Sequence, residues 1–394
     1  MDQYYFGFQT QRAVYFQRCA ARMLSTENST AAAGVAGVAT GPTTPYFFEF
    51  LDERKRKIIE IIMDYVLMFS ISVLGVITNT LVIIVYAKQG FRESVAISMT
   101  TIALWDLVKC AAGILNTSSG ILSLFDPVVA FSWTNITTVV FDYLISFSTY
   151  VTSVLAAYVA VERCLCVTFP LKVKWLLTPR VTFIACLTIS VVVFGGFAIM
   201  FGIYDIVWTW SASFNATVAI YRKNDFYKSN EGPLFAYYNL SGTTWPIASF
   251  VVIVIATIII VAKLREGSKF RAGSSNNDGS SAKNSSDQQK PQAQNYVKRD
   301  RQVVKMLLVI IIIYIIALAP RIIVYICKYL FYDFYFLRRG HHMFQFVVYI
   351  CLTLDVLNGA VNFFVFYKMS SSFRATFQTM ATFCKSSTTT STSK

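Results

Sequence analysis

The sequence predicts an all-α membrane protein: a bundle of seven transmembrane helices followed by a short amphipathic eighth. Composition is the first reason. Hydrophobic residues make up 55% of the 394 residues and charged ones 14%, against the roughly 25% charge of soluble domains. The second reason is seven long apolar runs, at about 61–87, 95–117, 138–161, 181–203, 244–263, 304–328 and 343–367. Each is near the roughly 20 helical residues that cross a bilayer core of about 30 Å. The third is that the basic residues crowd onto alternate connections. This balance excludes a disordered chain, a collagen-like chain and a disulfide scaffold. It also argues against a soluble enzyme, whose surface needs more charge.

Residues 1–57 form the leading tail. Residues 1–20 hold polar residues throughout, so no cleavable signal is expected. The spanning domain is assigned to 58–369. Its first run carries Asn79; its second is the least apolar because it contains Asp106 and Lys109. The fifth and sixth runs, VVIVIATIIIV and MLLVIIIIYIIALAP, are rich in β-branched residues. Lipid offers the backbone no hydrogen bonds, so runs of this length are read as helix rather than strand. Pro246 either kinks the fifth helix or starts it. Residues 265–297 are rich in Ser, Asn, Gly and Gln without apolar periodicity, which predicts a flexible loop. The closing segment is 370–394. In SSSFRATFQTMATF, Phe373, Phe377 and Met380 recur at helical spacing, as in a helix lying on a membrane surface. Cys384 is placed for palmitoylation, and the SSTTTSTSK end suits phosphorylation.

Orientation follows from Lys and Arg. With the N-terminus outside, about 20 basic and about 6 acidic residues fall on the cytoplasmic side, a net of roughly +14. That is the whole net charge of the chain, +14, so its basic character needs no nucleic acid. Arg54, Lys55, Arg56 and Lys57 oppose this orientation locally. The sequons at Asn28, Asn215 and Asn239 fall on the outer side, as expected of glycosylation sites. Asn116 and Asn135 head sequons close to the membrane, and Asn284 heads one in the third inner loop. Of eight cysteines, most lie in or at the ends of spans, and no structural disulfide is evident.

Ionisable groups in hydrocarbon are costly, so each is a functional candidate. Asn79, Asp106, Glu162-Arg163, Pro320 and the Asn362…Phe366…Phe373-Arg374 ending stand in order across the spans. In that order they resemble the helix landmarks of rhodopsin-like, class A, G-protein-coupled receptors, over about residues 60–382. AKQGFRESVAIS, VERCLCVTFPLKVK and NFFVFYKMSSSFR resemble, more narrowly, molluscan candidate chemosensory receptors. There are departures. The family's third-helix Cys is Thr138 here and the second outer loop has no Cys, so that loop is expected to be held another way. The Trp before the sixth-helix Pro is Leu318, with Tyr314 four residues earlier. The Asn-Pro-x-x-Tyr motif reads Asn362-Phe363-Phe364-Val365-Phe366.

The resemblance implies a plasma-membrane receptor that signals to a heterotrimeric G protein, with arrestin and a receptor kinase at the Ser/Thr tail. Glu162 and Asp300 are both placed to hold Arg163, whose fork of donors suits two carboxylates. Outward movement of the sixth helix would break the Arg163–Asp300 contact. Tyr314, Pro320, Asn362 and Phe366 complete the expected switch. Asn79, Asp106, Thr152, Asn358 and Asn362 look like the family's polar pocket, with a sodium ion at Asp106. The alternatives are a polar seam without an ion, or pairing of Asp106 with Lys109 one turn outward. Lys109, Asp142, Arg321 and Asp355 lie in the outer halves of spans and form a ligand pocket of mixed sign. It suits a small polar or charged ligand or a short peptide, unless pairs such as Lys109–Asp355 are purely internal. Ile145 replaces the aminergic Asp, and the seventh helix lacks a retinal-binding Lys, since Lys368 lies past its end. His341 and His342 sit in an outer loop with no metal, hydrolase or phosphate-binding motif around them, so no enzyme and no cofactor are expected. The competing readings are a neuropeptide receptor of the same fold and a seven-span channel or transporter.

Overall fold

The computed structural model describes residues 61–169, 177–277, 290–331 and 341–391, together with 58–59, 175 and 334. The tail through residue 57 with Asn28, the connection around Asn284, and the side chains of Asp300, His341, His342 and Cys384 lie outside the described set.

Among the described residues, seven helices are long and apolar enough to cross a membrane. They are α1 (Ile61–Gln89), α2 (Ser94–Leu122), α3 (Pro127–Thr168), α4 (Pro179–Phe197), α5 (Glu231–Asn277), α6 (Lys290–Leu330) and α7 (His341–Met369). The first eight residues of α1 are wound as a π-helix. An eighth helix, α8 (Ser371–Ser391), follows at once. Local chemistry sets several starts. The Asp126 carboxylate accepts from the N–H groups of Val128 and Val129 at 2.8 and 3.1 Å, ahead of Pro127. Thr178 caps α4 ahead of Pro179. Both pair a side-chain acceptor with a proline that lacks the first orphan N–H.

Burial is inverted relative to a soluble protein. Polar residues such as Asp106, Lys109, Asn79 and Asp355 are buried, while Ile77, Ile184, Val191, Ile258 and Ile316 are exposed. That is the arrangement lipid demands of a helix bundle. In the apolar window of α3, 72% of residues are buried, against 22% in α4. Helix α3 therefore runs through the centre and α4 lies at the rim. Between α1 and α2, the Gly75 backbone meets the Cys110 side chain so closely that a Cβ at position 75 would clash with the Cys110 Sγ.

Several boundaries differ from the sequence-based ones. Helix α3 starts at Pro127 rather than 138, and its 42 residues extend about 63 Å, twice the bilayer core. Helix α5 starts at Glu231 rather than 244, which puts Pro246 inside it. The added turns project past the lipid, so their polar sequences (SWTNITT, GPLFAYYNLSG) leave no hydropathy signal. The loop expected over 265–297 is shorter, because α5 continues to Asn277 and α6 begins at Lys290. Pairing of Lys263 with Glu266, 2.8 Å apart on one face, supports that continuation. His341 and His342 also open α7 rather than lying in the loop before it.

The α4–α5 connection, expected as the second outer loop, is an antiparallel hairpin, β1 (Tyr204–Ser211) and β2 (Ala216–Lys223), in register from Tyr204↔Lys223 to Ser211↔Ala216. No disulfide is needed to hold it. The Ala219 N–H donates to the Ser132 hydroxyl of α3 at 3.1 Å, and Val218 is buried against Phe131. Asn224 donates to the Gly202 carbonyl at 2.8 Å, and Lys223 pairs with Glu231 at 2.8 Å. At the turn, Asn215 takes a positive φ of 48°, a conformation Asn tolerates better than most residues.

Helix α8 packs as its pattern predicts. The Phe373 ring lies 5.5 Å from Tyr86 and 5.6 Å from Phe366 between centroids. Phe377 sits 5.5 Å from Phe363. Gln89 donates to the Thr376 hydroxyl at 3.1 Å.

Candidate functional site

Three clusters of polar side chains lie inside the bundle. In mid-membrane, Asp106 is fully buried on α2. Its Oδ1 takes the Lys109 ammonium at 2.6 Å and its Oδ2 the Asn362 amide of α7 at 3.1 Å. Gly359 leaves room for this, because a Cβ there would stand 3.0 Å from the Asp106 carboxyl. One turn away, Asn79 of α1 donates to the carbonyls of Gly75 and Gly359, at 2.8 and 3.2 Å. Helices α1, α2 and α7 are thus tied by side chains that lipid cannot satisfy. The Tyr314 hydroxyl of α6 faces Asn358, Asn362 and Thr152. It is buried and, like the Asn358 amide oxygen, has no hydrogen-bond partner among the described residues. Thr152 itself turns back to the Thr149 carbonyl.

The sodium ion expected at Asp106 does not fit this arrangement. The carboxylate is already neutralised by Lys109, a cation on its own helix, and Asn362 presents its NH2 rather than its oxygen. A second cation would face the ammonium within the buried interior, where like charges repel strongly. Spacing had left pairing with Lys109 open, and the structure selects it over Lys109–Asp355.

At the opposite end of the bundle from Arg163, Arg321 follows Pro320 on α6 and pairs with Asp355 of α7. Both are buried, and the Arg321 Nε has no hydrogen-bond partner among the described residues. Asp355 also lies within electrostatic reach of Lys109. The order along the bundle is therefore Arg321, Asp355, Lys109, Asp106, alternating in sign. Asp142 stands apart, higher on α3, and accepts from the Asn116 amide at 2.6 Å. The four outer charges thus do not converge on one empty centre.

At the C-terminal end of α3, Arg163 Nη2 meets Glu162 Oε1 at 2.7 Å, and the Ser98 hydroxyl donates to Glu162 Oε2 at 3.2 Å. Arg163 is buried to 8% exposure and its Nε lacks a partner among the described residues. The expected Asp300 contact falls outside those residues. A cleft of about 270 Å³ opens between the end of α1, the start of α2, Met306 within α6 and the α7–α8 junction. Phe366, in the position of the family Tyr, fills its place with ring contacts to Tyr86 and Phe373.

The profile of the serpentine type 7TM GPCR chemoreceptors, Srw, matches residues 66–384. The chain belongs to the Srw chemoreceptor family. No curated protein matches it. Membership makes this a multi-pass membrane receptor of the chemosensory G-protein-coupled class, which signals through a G protein and takes a small ligand.

The Srw receptor also uses residues that the sequence did not single out. Trp105, beside Asp106, donates its indole N–H to the Ser190 hydroxyl of α4 at 2.9 Å. A buried Trp N–H needs an acceptor, so a Trp within a span was the available signal. Of the outer sequons, Asn215 is exposed at the hairpin turn. Asn239 lies within α5, where its amide bonds the Phe235 carbonyl, a helical setting that does not suit glycosylation. Asn116 and Asn135 are buried in helices.

Proposed function

We propose that this Srw receptor sits in the plasma membrane with its N-terminus outside and detects a small, polar or charged, water-borne chemical. Outward movement of α6 then opens the cytoplasmic face to a heterotrimeric G protein. The observation that carries this reading is Arg163, a buried guanidinium held by Glu162 at the inner end of the most buried helix. A cation kept there at the cost of dehydration marks a two-state element rather than a loop charge. The narrower likeness to molluscan chemosensory receptors agrees with a ligand dissolved in water. The hydroxyl-rich C-terminal end of the chain supports regulation by a receptor kinase and arrestin, and Cys384 supports a lipid anchor.

Screening amino acids, small organic acids and short peptides in cells with a promiscuous G protein tests the reading. At least one class should evoke a response, and Arg163→Ala should abolish it at equal surface expression. An undiminished response in that variant would remove Arg163 from the mechanism. Orientation is tested separately. Asn215→Gln should raise gel mobility by one glycan's worth, and enzymatic deglycosylation should erase the difference. No mobility change would place the hairpin on the wrong side.

A further inference from the structure

The outer charges can be reduced to one group with unused capacity. Asp142 is engaged by Asn116, Lys109 by Asp106, and Asp355 by Arg321. A carboxylate already holding a donor offers little to an incoming cation. Arg321 differs. Among the described residues, Asp355 meets it only through Nη2 and its Nε has no partner, while the residue is only 9% exposed. A buried N–H without an acceptor costs free energy until something supplies one. The Nε edge of a guanidinium binds a carboxylate through two parallel hydrogen bonds, a geometry an ammonium cannot offer. Tyr150, Tyr238 and Tyr325 lie around this group, so the site offers ring surface beside the cation.

We infer that Arg321 anchors the anionic group of the ligand, a carboxylate, and that Asp355 is an internal carboxylate displaced when it binds. This rests on the receptor reading and names the ligand class of that same site. Exchange of one carboxylate for another on Arg321 leaves Asp355 beside Lys109, whose charge already reaches it. The released group is therefore not stranded. Lys109 in turn is the partner of Asp106, so an anion at the mouth perturbs the mid-membrane tie between α2 and α7.

The test is thermal melting of the purified full chain in lipid nanodiscs. The probes are acetate, propionate and glutamate, with methylamine and choline as cationic controls at matched ionic strength. The carboxylates should raise the melting temperature of the wild type, and the amines should not. Asp355→Asn should lower the half-saturating carboxylate concentration about tenfold, because the internal competitor is gone. Arg321→Gln should lose the effect. Should that variant fail to fold, Arg321→Lys decides: it keeps the charge but not the fork, and should need about tenfold more carboxylate. The proposal is overturned if carboxylates stabilise neither the wild type nor Asp355→Asn, or if Arg321→Lys matches the wild type. It is equally overturned if an amine stabilises the wild type and Asp355→Asn abolishes that. Melting needs no G protein, so failure of the receptor reading would leave this result standing.

Discussion

Replacing Lys109 with Met is expected to destabilise the folded receptor by about 3–5 kcal/mol, the usual penalty for stranding one member of a buried ion pair. Both partners are 0–1% exposed and 2.6 Å apart, and Lys109 is the group that neutralises the Asp106 carboxylate. Met keeps the length and apolar stem of Lys, so the loss reports charge rather than volume. The double variant Lys109→Met, Asp106→Asn should recover most of the stability, since two neutral groups of similar shape replace two charges. Melting temperature and detergent-extracted yield measure both. A single variant as stable as the wild type would show that the pair holds nothing together.

Replacing Glu162 with Gln is expected to raise ligand-free nucleotide exchange. The amide keeps the shape but removes the charge that holds Arg163 at 2.7 Å. A charged hydrogen bond contributes about 1.5–3 kcal/mol, enough to shift a two-state equilibrium roughly 10- to 100-fold. The inactive state loses that contact, so the active fraction grows without ligand. Exchange on a purified G protein, with and without the variant, gives the number. A basal rate equal to the wild type would mean that Glu162 does not restrain Arg163.

The sequence revealed what hydrocarbon imposes. Seven runs of sufficient length were visible because lipid selects for length and apolarity alone. Helix α8 was visible because Phe373 and Phe377 recur at helical spacing. The outer turns of α3 and α5 and the β1–β2 hairpin were not, because beyond the lipid the chain answers to local packing. Residues such as Ser132 and Val218 carry no pattern of their own. In the site, the Asp106–Lys109 pair was readable from its spacing of three on one helix. Arg321–Asp355 was not, since joining α6 to α7 depends on how each helix is rotated, and periodicity does not fix rotation between helices. Trp105 is not legible as a polar contact, because a tryptophan in an apolar span reads as packing until its acceptor, Ser190, is seen.

In the proposed function, the buried charges of the seven-helix membrane bundle are the working parts of a G-protein-coupled receptor. Its most direct test is reconstitution of the purified chain in a planar bilayer with a heterotrimeric G protein, recording nucleotide exchange and ionic current together. The wild type should accelerate exchange, Arg163→Ala should not, and neither should carry current. Current through the purified chain, with exchange no faster than for the G protein alone, would contradict it.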